Sequence, residues 1–223
     1  MTHSQTSAIA AFESHLASPW FPCLAAQTAT RRHLVTHVFA GSMACPAHDA
    51  ETARAIAAFA GKDKPEHALH SLVVHFNDAS PMPEPLFERW LFARLQGIHE
   101  ADAAHHAWDP GVSDDPDDPA FSMSVGGKAF YVVGLHPGAS RRARRLSHPA
   151  LVFNLHAQFE YLRSQGRYER LKKAIVERDI AFNGSANPML AVHGTSSEAR
   201  QYSGRHIVGE WQCPFRPRGT DAT

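Results

Sequence analysis

Apolar positions recur along this chain with two different periods, and the points where the period changes predict most of its elements. Ala53, Ile56 and Ala57 stand at helical spacing within "DAETARAIAAFAGK", with Asp49 as an expected N-cap and Gly61 as a stop, so residues 49–62 predict a helix. "SLVVHF", 71–76, is a short apolar run of the kind that forms a buried strand. In "PEPLFERWLFARLQGIHEAD", Leu86, Trp90, Leu91, Leu95 and Ile98 fall on one stripe behind an entry marked by proline. That pattern predicts an amphipathic helix packed on the core, and the stripe is core rather than a cofactor-binding surface. "AFSMSVGGKAFYVVGLH" holds two β-rich runs separated by Gly126-Gly127, the chemistry of a tight hairpin, and its second strand, 128–135, delivers His136 at its end. Leu151 to Phe153 predicts a further strand, passing into a helix that carries Phe159 and Leu162 and stops near Gly166; a second helix follows over 168–179.

Strands that pair in a hairpin and helices that do not strictly alternate with them predict an α+β fold, an antiparallel or mixed sheet flanked by helices, over a doubly wound sheet. No repeat and no low-complexity linker divides the chain, so residues 1–223 are expected to form a single domain. The acidic run "WDPGVSDDPDDPAF" is a turn-rich connector, because Pro110, Pro116 and Pro119 break the ligand alternation of an EF-hand.

Composition narrows the partners. A chain of 223 residues buries a core without staples. Lys+Arg and Asp+Glu balance at 22 each, which leaves no global field for nucleic acid or an anionic membrane and points to a small-molecule partner. Hydrophobic residues are 43% of the chain but never run to the ~20 that span a bilayer, and the first residues lack a basic stretch followed by an apolar core, so the expected location is cytoplasmic. Cys23, Cys45 and Cys213 are far apart, which suits a reducing compartment and excludes a CxxC site. The sixteen histidines offer many metal ligands, yet "HEADAAHH" has Ala103 where HExxH needs its second histidine, and it is read as a solvated helix end.

Three segments carry candidate chemistry. In the first, His136 leaves a strand end, Pro137 stiffens the exit, and Ser140, Arg141, Arg142, Arg144 and Arg145 follow. Clustered arginines repel unless anions sit among them, and guanidinium grips carboxylate or phosphate through paired hydrogen bonds. Histidine with arginines in one loop is what a heme needs, imidazole for iron and guanidinium for propionates; a phosphate would want only the arginines, and a solvated basic turn would need neither. In the second segment Asn154, His156, Gln158 and Glu160 emerge at a strand-to-helix junction, Asn154 as an expected N-cap and His156 as a second possible iron ligand. The third spans 187–215, where Asn187, Glu198, Arg200, Gln201, Tyr202, Ser203 and Arg205 must be paired with one another or with a ligand if they are buried. Cys213 in "CPF" offers a thiolate as a third possible iron ligand, or simply packs behind Trp211.

The stretches "FYVVGLHPGASRRARR", "LVFNLHAQFEYLRSQGRYERLKKAIVERD" and "NPMLAVHGTSSEARQYSGRHIVGEWQCPF" resemble the YqcI/YcgG family, with "WFPC" near residue 20 as a weaker match. The family resembles heme-dependent enzymes that N-hydroxylate the guanidine of arginine or a cyclic derivative, as in cycloserine and guanitoxin biosynthesis. The resemblance implies heme b and O₂ as cofactors, a small amino-acid substrate and a separate electron donor. On that basis His136 would ligate iron, and Arg141, Arg144 and Arg145 would neutralise propionates, with Ser140, Asn154 and His156 near the cofactor. Glu198 would meet the substrate guanidinium, Arg200 or Arg205 its carboxylate, and Asn187 and Tyr202 would close the pocket. Leu155 stands where the family's "FNPH" has proline, which is expected to loosen the turn holding His156 and favours His136. A non-catalytic heme sensor or carrier and a non-heme metal enzyme are the alternatives. The amphipathic helix over 84–99 suggests a homodimer.

Overall fold

The computed structural model describes residues 2–62, 65, 68–189 and 196–218. The chain opens with α1 (His3–Ala17), started by a capping box in which Gln5 N–H donates to the Thr2 hydroxyl and Thr2 N–H to the Gln5 side chain. There follow α2 (Leu24–Arg31), β1 (Val35–Phe39), α3 (Asp49–Ala60), β2 (Ser71–His75), α4 (Glu84–Asp102), β3 (Met123–Val125), β4 (Lys128–Leu135), β5 (Ala150–Leu155), α5 (His156–Ser164), α6 (Tyr168–Asn183) and the short α7 (Ala199–Tyr202).

The five strands form one mixed sheet in the order β1-β2-β5-β4-β3, with β1 and β2 parallel and every other pair antiparallel. The fold is α+β, as the pattern of elements predicts. Gly126 and Gly127 turn the β3–β4 hairpin at φ of +64° and +68°, backbone that residues with a Cβ seldom adopt. Alternation along the strands then fixes the two faces. Leu72, Val74, Phe130, Val132, Leu151 and Phe153 point into the larger core with α3 and α4, whereas Val73, Leu135, Ala150 and Val152 point to the other face, against Phe12, Leu16 and Phe21. The α4 stripe is consumed inside the chain: Leu91, Leu95 and Ile98 are buried and Leu86 and Trp90 pack on the same cluster.

Local readings need correction in four places. Asp49 does not cap α3; His48 holds that position, and Asp49 is buried against Arg94 at 3.4 Å, with burial raising its carboxyl to about 6. Asn154 is not the cap of α5, because its side chain accepts from the Ser71 hydroxyl at 2.6 Å and donates to the Tyr131 carbonyl at 3.4 Å across the sheet. Leu155 does not loosen the turn: its φ of −57° lies in the range a proline imposes, and α5 starts at the next residue. His99 is not solvated, since it is buried edge-on to Trp108 and Phe215 and accepts from Arg218 N–H at 2.8 Å. Among the described residues, no helix is long and apolar enough to cross a membrane.

Candidate functional site

The register of β4 on β5 decides which polar groups meet. Phe130 pairs with Leu155 at one end and Leu135 with Ala150 at the other, so His156 and His136 leave opposite ends of this ladder, about 17 Å apart along the strands.

The His136 end is tightly satisfied. Arg144 donates to the carbonyls of Gly134, Gln201 and Tyr202 at 3.2, 2.8 and 2.8 Å, and burial lowers its guanidinium to about 10. Arg141 pairs with Asp179 and donates to the Ser185 and Ala186 carbonyls. Arg145 donates to the Ala139 and Ser140 carbonyls, and Ser140 donates to Glu84 through both its amide and its hydroxyl. The arginines expected to hold propionates therefore tie this loop together. His136 is 0% exposed and stacked on Phe87 with ring centroids 4.1 Å apart, and neither ring nitrogen makes a well-formed hydrogen bond. Burial is the main cause that lowers its pKa to about 4, with Arg144 adding and Glu84 opposing.

The His156 end is different. Glu198 stands at the start of α7, 4% exposed, with Oε2 3.2 Å from the Ser122 hydroxyl and a hydrogen bond to the Tyr131 hydroxyl. Burial drives its pKa up to about 8, against the opposing pull of Ser122, Tyr131 and Arg163. The Tyr131 phenol is likewise pushed far above its ordinary range, first by burial and then by Glu198. His156 lies parallel to Tyr131 (6.0 Å between centroids, 6° between planes), and its Nε2 is 3.7 Å from Glu198 and 3.8 Å from Glu160.

Glu198, His156 and Glu160 face a cavity of about 710 Å³, within the range of small-molecule sites. Asp109 and Asp118, from the turn-rich connector, complete its polar lining with His156, Glu160 and Glu198; among the described residues no lysine or arginine lines it. Asp109 is fixed from both sides, its amide donating to Ser124 and its carboxylate accepting from Ala129 N–H at 2.8 Å. Four acidic side chains from the connector, α5 and the start of α7 thus stand around one opening. Just behind Glu160, Arg163 pairs with that carboxylate and lies over the Tyr168 ring, while its Nη2 is buried without a hydrogen bond.

The described residues of the polar segment 187–215 are thus divided among separate places, and among them only Glu198 reaches the cavity. Arg205 pairs with buried Glu88 at 2.8 Å, where Ser203 and Trp211 also donate. The Tyr202 hydroxyl accepts from Met123 N–H inside the core. Arg200 donates to the Gly209 carbonyl beside Trp211, and the Asn187 side chain accepts from Met189 N–H. Cys213 is fully buried, with burial raising its thiol to about 12. Asp109, Asp118, Ser122, Tyr131 and Arg163 were not anticipated. The spacing His156, Glu160, Arg163 (i, i+4, i+7 on one helix face) is a signal that reveals part of this wall in sequence. The others arrive from distant segments, which spacing does not reveal.

No curated protein and no solved structure matches the chain. The model of the YqcI/YcgG family matches residues 12–216, covering both ends of the β4–β5 ladder, all four acidic residues of the cavity and the loop of clustered arginines. The chain belongs to the YqcI/YcgG family.

Proposed function

We propose that this chain is an enzyme that N-hydroxylates the guanidine or amine of a small amino acid, with heme b, O₂ and a separate electron donor. The observation that carries the reading is Glu198, a buried carboxyl with a pKa of about 8, facing a cavity whose described lining holds three further acidic groups, one histidine and no lysine or arginine. A guanidinium or ammonium entering there meets opposite charge, and in low dielectric that attraction is strong.

The chemistry gives Glu198 a second task. Nitrogen is oxidised through its lone pair, so a protonated substrate must first lose a proton. A carboxylate whose pKa lies near the working pH is suited to accept one. Ser122 and Tyr131 hold Glu198 in place by hydrogen bonds, and the stacked rings of Tyr131 and His156 form a rigid wall beside it. In the overall reaction one atom of O₂ enters an N–H bond to give N–OH, and the other leaves as water with two electrons and two protons from outside. The heme, when bound, supplies the iron at which O₂ is activated. The set expected to hold it does not fit as folded: the hydrogen bonds of Arg141, Arg144 and Arg145 are committed within the chain, and His136 is sealed against Phe87. No step is therefore assigned through that set.

The test is turnover. The full chain, supplied with hemin, a chemical reductant and O₂, is incubated with L-arginine, agmatine and simple amines, and products are read by mass spectrometry. A product heavier by one oxygen is expected from at least one guanidine or amine. Heme-loaded protein that oxygenates none of them sinks the enzyme reading in favour of a carrier or sensor.

A further inference from the structure

A carboxyl that must ionise in a buried place needs a route for its proton. Burial drives the Glu198 pKa up to about 8, so the group holds a proton at neutral pH and gives it up when a cation takes its place beside it. That cation then covers the side of the carboxyl that faces the cavity. Two of the neighbours of Glu198 offer no way out. Ser122 is buried, and its hydroxyl lies 3.2 Å from the Phe130 carbonyl, which only accepts. The Tyr131 phenol is held far above its ordinary range, first by burial and then by Glu198 itself.

His156 is placed differently. Its Nε2 is 3.7 Å from Glu198 Oε1 and 3.8 Å from Glu160 Oε1, so one ring nitrogen stands between two carboxylates. Exposure rises in steps along this line: the side chain of Glu198 is 6% exposed, that of His156 15% and that of Glu160 50%. Neither contact is itself a hydrogen bond, and each is within reach through one water. All three side chains line the same cavity, and the parallel Tyr131 ring holds the imidazole on its other flank. The remaining charges around the ring are Asp109 and Asp118 in the cavity lining and Arg163, which is paired with Glu160.

Resting on the reading of Glu198 above, we infer that His156 is the relay through which the proton of Glu198 reaches solvent when a cationic substrate binds. Nε2 takes the proton from the Glu198 carboxyl, the imidazolium N–H passes it toward Glu160, and at that half-exposed carboxylate it leaves to water. One proton moves and no electron does, and the ring ends neutral as it began. Imidazole suits the task because it is the side chain that gains and loses a proton near neutral pH. Glu198 then meets the guanidinium as a carboxylate, ready to take the proton that the nitrogen must lose. His156 acts through Glu198 and needs no contact with the reacting nitrogen.

Stopped-flow mixing of L-arginine with the full chain, in weak buffer with a pH indicator, tests the relay without any turnover. The parent is expected to release about one proton per arginine bound, in a fast phase. His156→Phe, which keeps an aromatic ring beside Tyr131, and His156→Gln should bind arginine nearly as tightly as the parent and release the same proton roughly tenfold or more slowly. Free imidazole added to either variant should restore the fast phase. Release as fast in both variants as in the parent overturns the relay and leaves the cationic site standing. Loss of arginine affinity in both variants, or slow release that imidazole does not restore, likewise overturns it and marks His156 as a structural support. A parent that binds arginine without releasing a proton, or does not bind it, overturns the role of Glu198 and the relay with it.

Discussion

The Ser122 hydroxyl lies 3.2 Å from Glu198 Oε2 and, at the same time, 3.2 Å from the Phe130 carbonyl. A hydroxyl has one hydrogen, and a carbonyl only accepts. Ser122 can satisfy both neighbours when it donates to Phe130 and accepts from a protonated Glu198. The geometry and the raised pKa thus agree on a neutral Glu198 carboxyl at neutral pH.

That proton makes stability depend on pH in a definite direction. Glu198 titrates near 4.5 when solvated and near 8 when folded, so between these values the folded chain holds a proton that the unfolded chain has lost. Its contribution to stability falls as pH rises through that window, by up to about 1.4 kcal/mol per pH unit. Glu198→Gln should flatten the slope and be the more stable protein at pH 8 in urea unfolding. A parent no more sensitive than the variant between pH 6 and 8 would contradict the buried neutral carboxyl.

Three histidines act in the opposite sense on the acid side, each lowered chiefly by burial. His37 Nδ1 is 2.9 Å from His75 Nε2, and His75 Nδ1 is 2.8 Å from His148 Nε2, with the Phe12 ring edge-on to the first two. Burial, then the neighbouring imidazoles, lower His75 to about 3. Below pH 6.5 the unfolded chain takes up a proton that folded His75 refuses, so its stabilising contribution is lost as pH falls toward 3. His136, lowered to about 4, acts in the same direction. On lowering pH from 7 to 4.5, Glu198→Gln should lose more stability than the parent, because the opposing carboxyl slope is gone, and His75→Phe should lose less; equal changes in all three proteins by chemical unfolding would contradict these assignments.

Arg144 and Gly204 form a tight pair. Gly204 has φ of +78°, and a Cβ there would come within 2.3 Å of Arg144 Cδ. Gly204→Ala should cost about 1–3 kcal/mol through strain and overpacking. Arg144→Ala should cost more than a surface change, since three carbonyls lose their donor. The double variant should be less destabilised than the sum of the two, because removing Arg144 removes the clash. Strict additivity in thermal melts would contradict the packing.

Much of the fold is legible where one period dominates: the diglycine hairpin, the α4 stripe and the β4 and β5 runs emerge from local pattern. β1 and α1 were not anticipated, β1 because "VTHVF" mixes its apolar positions with His37 and Thr36 at the sheet edge. The site is less legible for a physical reason. Glu198, His156 and Asp109 are brought together by the β4–β5 register and by the connector folding back onto β4, and Arg144 sends its charge into backbone carbonyls; clustering in sequence does not reveal either outcome.

The central claim is that the cavity beside Glu198 receives a cationic substrate, and calorimetric titration of L-arginine into the full chain tests it most directly. Binding should strengthen as pH rises from 6 to 8, with protons released to the buffer as Glu198 ionises against the guanidinium, and Glu198→Gln should lose roughly 3–5 kcal/mol of affinity, the cost of unpairing a buried charge. Arginine binding that is independent of pH over this range and unchanged in Glu198→Gln would contradict the account.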